Sequence, residues 1–208
     1  MALNVSAKST FTPAPAGNHP ARCFRAVDLG TQESNYQGQL NSSRKVMLSF
    51  ELPTELHQFS EEKGMEPFTV NKEFTASLGK KANLRAFLES WRGRPFTEEE
   101  LAKFDLSKLI GQTCLLNVIH KTSAAGNVRA EIVSATRMPK GMDCPAPFNQ
   151  PVEFSLDPES YNSGDFDGLP EWIRNKIATS PEFKAIDGDH ASTGATEGGE
   201  LSDSDIPF

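Results

Sequence analysis

Hydrophobic and polar positions change period several times along this chain, and the changes mark its elements. ARCFRAVDL, 21–29, mixes aromatic and branched residues and predicts a strand that Gly30 stops. The polar, turn-rich stretch TQESNYQGQLNSS, 31–43, predicts a loop. In RKVMLSFEL, 44–52, Val46, Leu48, Phe50 and Leu52 alternate with Lys45, Met47, Ser49 and Glu51, the period of a strand with one buried face. A charged connection follows over 53–66. PFTVNKEFTASL, 67–78, predicts a third strand, with Phe68, Val70, Phe74 and Ala76 in one parity and Lys72 interrupting it. The period then lengthens. Within 80–93, Leu84, Phe87, Leu88 and Trp91 fall at i, i+3, i+4 and i+7, one helical stripe ended by Gly93. Thr97 and Glu100 have capping-box spacing and predict a short helical stretch within 96–111. Two β-rich runs, 113–122 and 127–136, flank SAAG and predict a hairpin, and Met138-Pro139 closes the ordered core.

The resulting order is β-β-β-α-β-β over about 120 residues, one small domain. It is the order of the OB-fold, a partly open Greek-key barrel; the same elements also fit a different α+β sandwich. The expected fold is therefore mainly β: a five-stranded OB-fold barrel over 19–140, with a helix between strands 3 and 4. Residues 1–18, rich in Ser, Thr, Pro and Ala, are expected to be disordered. In the extension 141–186, Pro170, Trp172, Ile173 and Ile177 predict a short helix over 170–178, either packed on the barrel, the favoured reading, or a mobile recognition segment. Residues 187–208 are low-complexity and acidic, and a disordered tail is expected there.

Charge changes the picture more than composition does. The chain of 208 residues nets −7, yet residues 1–140 carry 18 Lys+Arg against 14 Asp+Glu. Residues 141–186 carry 3 against 8, and residues 187–208 carry none against 6. A basic front joined to an acidic rear fits a nucleic-acid-binding body with an acidic tail; it also fits a neutral domain with a solubilising one. Three widely spaced cysteines argue for reduced thiols in a cytoplasm, and four scattered histidines without a C-x-x-C pair argue against zinc. No apolar run is long enough for a bilayer, and the N-terminus lacks the pattern of a signal peptide.

Candidate chemistry is sparse on the catalytic side. The chain has no nucleophile elbow, P-loop or H-E-x-x-H site. Residues 163–168, SGDFDG, share part of a calcium-loop pattern but start on Ser163 and put Arg174 where the bidentate glutamate belongs. Glu98, Glu99 and Glu100 suit a helix start rather than a nuclease cluster. The expectation is a non-enzyme with no cofactor, metal or small-molecule substrate.

Binding is better supported, because single-strand binders need cations along the phosphates and aromatic faces for bases. Arg22 and Arg25 flank Phe24; Tyr36 sits in the polar stretch before Arg44 and Lys45; Lys72 is two residues from Phe74; Lys80, Lys81 and Arg85 follow. These eleven residues form the expected DNA-binding set, with Tyr36 the main stacking candidate. Phe50, Phe68, Phe87 and Trp91 share parity or stripe with aliphatic residues and are assigned to the core.

The last four residues, Asp205-Ile206-Pro207-Phe208, resemble the C-terminal tip of bacterial single-stranded DNA-binding proteins, an OB-fold followed by a linker and an acidic tip. The body is similar instead to single-stranded DNA-binding proteins of tailed bacteriophages, notably in DLGTQESNYQGQ and the Glu/Phe-rich insert between strands. The resemblance implies a sequence-tolerant binder that protects single strands in replication or recombination in a bacterial host cytoplasm. It also implies that Asp203, Asp205, Ile206, Pro207 and Phe208 recruit partner proteins, with Phe208 in an apolar pocket and its carboxylate on a basic residue. Ser202 and Ser204 alternate with the aspartates where the bacterial tip has consecutive ones, which implies a weaker hold. An RNA-binding or strand-annealing module and a protein-binding adaptor are the rival readings.

Overall fold

The computed structural model describes residues 12–36 and 38–193, without the side chains of 35, 36 and 188–193. The protein is mainly β. One sheet contains β1 (Gly17–Tyr36), β2 (Gln39–His57), β3 (Glu66–Thr75), β4 (Thr113–Thr122), β5 (Val128–Thr136) and β6 (Val152–Phe154). The strand order is β3-β2-β1-β4-β5, with β6 added on β1. The β1–β4, β2–β3 and β4–β5 pairs are antiparallel, and β6 runs parallel to β1. The helices are α1 (Asn83–Arg92), α2 (Glu98–Ala102), α3 (Ser163–Asp167), α4 (Glu171–Ile177) and α5 (Pro181–Thr193), with a 3-10 turn at Leu106–Leu109.

The chain divides into two compact units. One holds 1–27 and 45–154; the other holds 28–44 and 155–208. The expected boundary at 140 moves because β6 pairs onto β1, while the far end of β1 and the start of β2 belong with the C-terminal helices.

In the first unit the predicted stripe is the core. Leu84, Phe87, Leu88 and Trp91 of α1 are buried, and Gly93 ends the helix at φ 71°, a left-handed cap that a glycine adopts freely. Phe50 meets the Trp91 ring at 5.4 Å and the Phe87 ring at 6.2 Å, and Phe74 meets Phe87 at 5.0 Å. Phe50, Phe68, Phe87 and Trp91 are all core, as their parity predicted. The α2 capping box forms: Thr97 accepts from the Glu100 N–H while the Glu100 carboxylate accepts from the Thr97 N–H. α1 packs against β3 and β5, the two ends of the strand path. There the Lys72 ammonium donates to the Ile132 carbonyl at 2.5 Å, but β3 and β5 do not pair and the sheet stays open.

Several boundaries differ from the sequence reading. β1 does not stop at Gly30 but passes through it at φ 68°, a conformation open to glycine, so the residue bends the strand rather than ending it. The stretch 31–43 is not a loop: 31–36 belong to β1 and 39–43 to β2, with Gly38 in a turn and Gln37 outside the described residues. Its polar side chains find partners in the second unit. The Thr31 amide and hydroxyl both donate to Glu182, at 2.8 and 2.6 Å, and the Gln32 amide donates to the Leu29 and Lys176 carbonyls. Over residues 46–52 β2 is buried on both faces. Met47, Ser49 and Glu51 are as fully covered as Leu48, Phe50 and Leu52. The cover includes residues 148–149, whose amides donate to Glu51, and β6 follows directly.

Of the N-terminal segment, residues 1–11 lie outside the described residues; Ala14 is buried and β1 already begins at Gly17. The expected tail from 187 is helical in α5 as far as Thr193, and 194–208 lie outside the described residues. In the second unit Leu29, Leu156, Leu169, Ile173 and Ile177 form the buried set. The segment 163–168 is α3 with Gly168 as its cap, its N-terminus held by the Asn162 side chain, which accepts from the Gly164 and Asp165 amides. The short helix predicted at 170–178 is α4.

Candidate nucleic-acid interface

Five of the predicted cations are already engaged by the protein itself. Arg22 donates to the buried Glu51 at 3.2 Å, and its own side chain is 13% exposed. Arg25 is buried with its Nε on the Ser49 hydroxyl at 3.1 Å, and burial draws its guanidinium below the usual range. Arg44 forks onto both oxygens of Asp28, whose hydrogen bonds hold the guanidinium above its usual value. The Lys72 ammonium, bonded to Ile132, is lowered by burial. Arg85 pairs with Glu89 at 2.9 Å, one helical turn on.

The aromatic half of the prediction is corrected as well. Phe24 is 6% exposed, with the Arg25 guanidinium 5.1 Å from its ring centre, and Phe74 is 4% exposed against Phe87. Neither offers a face to a base, because each ring is buried. Tyr36 ends β1, and its side chain lies outside the described residues.

Lys45, Lys80 and Lys81 come together. They line one open groove of about 620 Å³ with Thr75, Ser77 and Glu73. β2 supplies Lys45, whose ammonium donates to the Thr75 hydroxyl at 2.9 Å. The turn between β3 and α1 supplies Lys80 and Lys81, both exposed. Three ammonium groups face one carboxylate, so the groove attracts anions. The edge of Phe74 reaches its floor.

A second basic cluster was missed. Arg92, Arg94, Lys108 and Arg137 rim a pocket of about 540 Å³ whose floor includes Trp91 and Phe104. Its sequence signal is WRGRP at 91–95, a stretch whose helical stripe and Gly93 announce only the end of a helix. Glu100 bridges Arg92 and Arg94, at 2.6 Å from each, and the Arg92 hydrogen bond leads in holding its carboxyl well below the usual range.

Reactive groups are few. Cys23 and Cys114 are buried free thiols; burial pushes Cys23 up to about 12 and raises Cys114 as well. A thiol so raised is a poor nucleophile at neutral pH. Among the described residues no three His, Cys, Asp or Glu side chains group to hold a metal ion, and no helix is long and apolar enough to cross a membrane. Asp203, Asp205, Ile206, Pro207 and Phe208 lie outside the described residues. The chain matches no protein-family model, no curated protein and no solved structure.

Proposed function

We propose that this chain is a non-enzymatic, sequence-tolerant single-stranded DNA-binding protein that coats strands during replication or recombination, phage-encoded and acting in a bacterial cytoplasm. The observation that carries the reading is the groove in which Lys45, Lys80 and Lys81 converge. It lies on the unit that carries 17 Lys+Arg against 14 Asp+Glu, whereas the other unit carries 4 against 14. Segregating charge in this way presents a cationic body to phosphates despite a net charge of −7. An OB-fold barrel is the finer fold we propose for the first unit. A helix follows the third strand, and β3 and β5 approach through Lys72 and Ile132, as the edges of a partly open five-stranded barrel would. The C-terminal tip, by its resemblance, recruits replication or recombination proteins.

The test is fluorescence anisotropy with labelled oligo-dT, duplex DNA and oligo-U across a salt series. Oligo-dT should bind in preference to duplex, with a log–log salt slope of about −0.7 per phosphate neutralised. The triple variant Lys45→Ala, Lys80→Ala, Lys81→Ala should flatten the slope by up to about two units, three phosphates' worth. Equal binding of duplex, or an unchanged slope in the variant, rejects the reading. Preference for oligo-U moves it to RNA.

A further inference from the structure

The first unit carries two surfaces of opposite charge, each with apolar side chains at its centre. One is the pocket at the C-terminal end of α1. Leu88, Phe104 and Leu109 contribute to its floor, and Arg92, Arg94, Lys108 and Arg137 rim it. Glu100 is one carboxylate shared by Arg92 and Arg94, so the rim keeps a positive excess. Lys108 and Arg137 are exposed and form no salt bridge among the described residues. The rings there are poor stacking faces: Trp91 is buried, and the Arg92 guanidinium lies 4.2 Å over Phe96, itself buried. A volume of about 540 Å³ of this kind suits apolar side chains flanked by carboxylates rather than bases.

The other surface is the connection between β2 and β3. His57 faces Glu66 at the last pair of that hairpin, and residues 58–65 close it. Leu56, Phe59 and Met65 are 49%, 49% and 55% exposed. The Phe59 ring is nevertheless held, edge-on to His57 at 4.9 Å and to Phe68 at 5.1 Å. A half-exposed ring fixed by two others is an anchor formed before any contact, so little side-chain entropy is lost when it docks. Residues 55–66 carry four glutamates against one lysine. Lys63 is matched by Glu66 at 3.7 Å, and Glu55 is held by His19 at 3.1 Å, which leaves the exposed Glu61 and Glu62. We propose that the pocket of one copy receives the β2–β3 connection of a second copy of this chain. The Phe59 ring lies on the floor, and Glu61 and Glu62 face Lys108 and Arg137. Both surfaces are fixed features of one folded unit, and no residue of the connection lines the pocket, so a chain does not fill its own. The carboxylates orient the encounter, while the apolar contact supplies the affinity. Each copy offers both surfaces, so two copies exchange connections in a closed pair or the contact passes from copy to copy. Lys45, Lys80 and Lys81 take no part, and the contact stands whether or not the first unit binds DNA.

The experiment contains no nucleic acid, so its failure and that of the DNA reading are separate results. Sedimentation velocity of the full-length chain is run at low salt from about 1 to 100 μM. Apparent mass should rise with concentration, and added salt should move the rise to higher concentration. The double reversals Glu61→Lys with Glu62→Lys, and Lys108→Glu with Arg137→Glu, should each weaken association at least about tenfold. Combined in one chain, the four substitutions restore opposite charges across the contact and should recover most of the association. Phe59→Ser should weaken it by a similar factor. All four charged residues are exposed, so their variants should keep the melting temperature, and they decide the matter where Phe59→Ser fails to fold. The proposal is overturned by a chain that stays monomeric at about 100 μM, by indifference to either reversal, or by a fourfold variant no more associated than the two doubles.

Discussion

Replacing Glu51 tests whether the buried carboxylate fastens the 148–149 segment to β2. Its side chain is fully covered, and it accepts from Arg22 at 3.2 Å, the Asn149 amide at 2.8 Å, the Asn149 side chain at 2.8 Å and the Phe148 amide at 3.2 Å. In Glu51→Ala all of these donors lose their acceptor inside the protein. Removing one partner of a buried ion pair costs about 3–5 kcal/mol, and the loss of hydrogen bonds falls within that figure rather than adding to it. At about 2–4 °C per kcal/mol for a chain of this size, the melting temperature should fall by roughly 6–20 °C. Most of these donors belong to residues 148–149, so Arg22→Met should cost less than Glu51→Ala. Calorimetry and urea titration give the two costs, and amide exchange at Phe148 and Asn149 reports the segment directly. If Glu51→Ala stays within about 1 kcal/mol of the unaltered protein, a normal margin for a surface change, the carboxylate is not the fastener. The same conclusion follows if those two amides keep their protection.

Gly30→Ala should lower the free energy of unfolding by about 1–3 kcal/mol or more, read as a lower urea midpoint, since φ is 68° and an added Cβ would come within 2.5 Å of the Ser180 Cβ and 2.9 Å of Leu156; a neutral result would show that the backbone there relaxes freely. Acid should weaken the first unit. Glu100 is depressed first by Arg92, Glu89 by the Phe96 amide and Asp105 by the Ser107 amide, so their contribution is whole above the ordinary value of about 4.5 or 3.8 and is lost as pH falls through the lowered values. Melting temperatures between about pH 6 and pH 2 should show the loss, and Glu100→Gln should make the profile shallower; a profile unchanged by that variant would mean the bridge between Arg92 and Arg94 carries no stability.

Legibility followed the range of the contacts. β4 was predicted at its observed bounds and β5 within one residue, because hairpin partners are near in sequence and Gly126, at φ 80°, makes the turn local. The α1 stripe and the α2 capping box were likewise written within a dozen residues. The hidden outer face of β2 was not. Met47, Ser49 and Glu51 read as the polar side of an amphipathic strand, and what meets Glu51 is a proline-rich stretch almost a hundred positions away with no period of its own. β6 is three residues long, too short to leave a pattern, and α5 has no apolar stripe to announce it. Polar strand residues such as Thr31 and Gln32 looked like loop because their partners, Glu182 and Lys176, sit at the far end of the chain.

The same distance rule explains which cations were misjudged. A sequence shows where positive charges cluster but not which of them are matched. Arg85 has its acid one helical turn on, but for two other arginines the acid is remote: Glu51 is 29 positions from Arg22, and Asp28 is 16 from Arg44. Arginine suits those places, because its fixed fork binds a carboxylate in one geometry and tolerates burial better than an ammonium. Lysine is more strongly hydrated, and apart from the partly buried Lys72 the predicted lysines keep nearer to water. Lys80 and Lys81 sit on an exposed turn, and Lys45 stands at the edge where β2 emerges from cover. Charge held on hydrated ammonium groups is available to a phosphate at little desolvation cost. Charge held in the Arg22–Glu51 pair is available only by breaking a buried contact. A strand of nucleic acid following the least costly path would therefore track the three lysines and leave the face of Arg22, Phe24 and Arg25 closed.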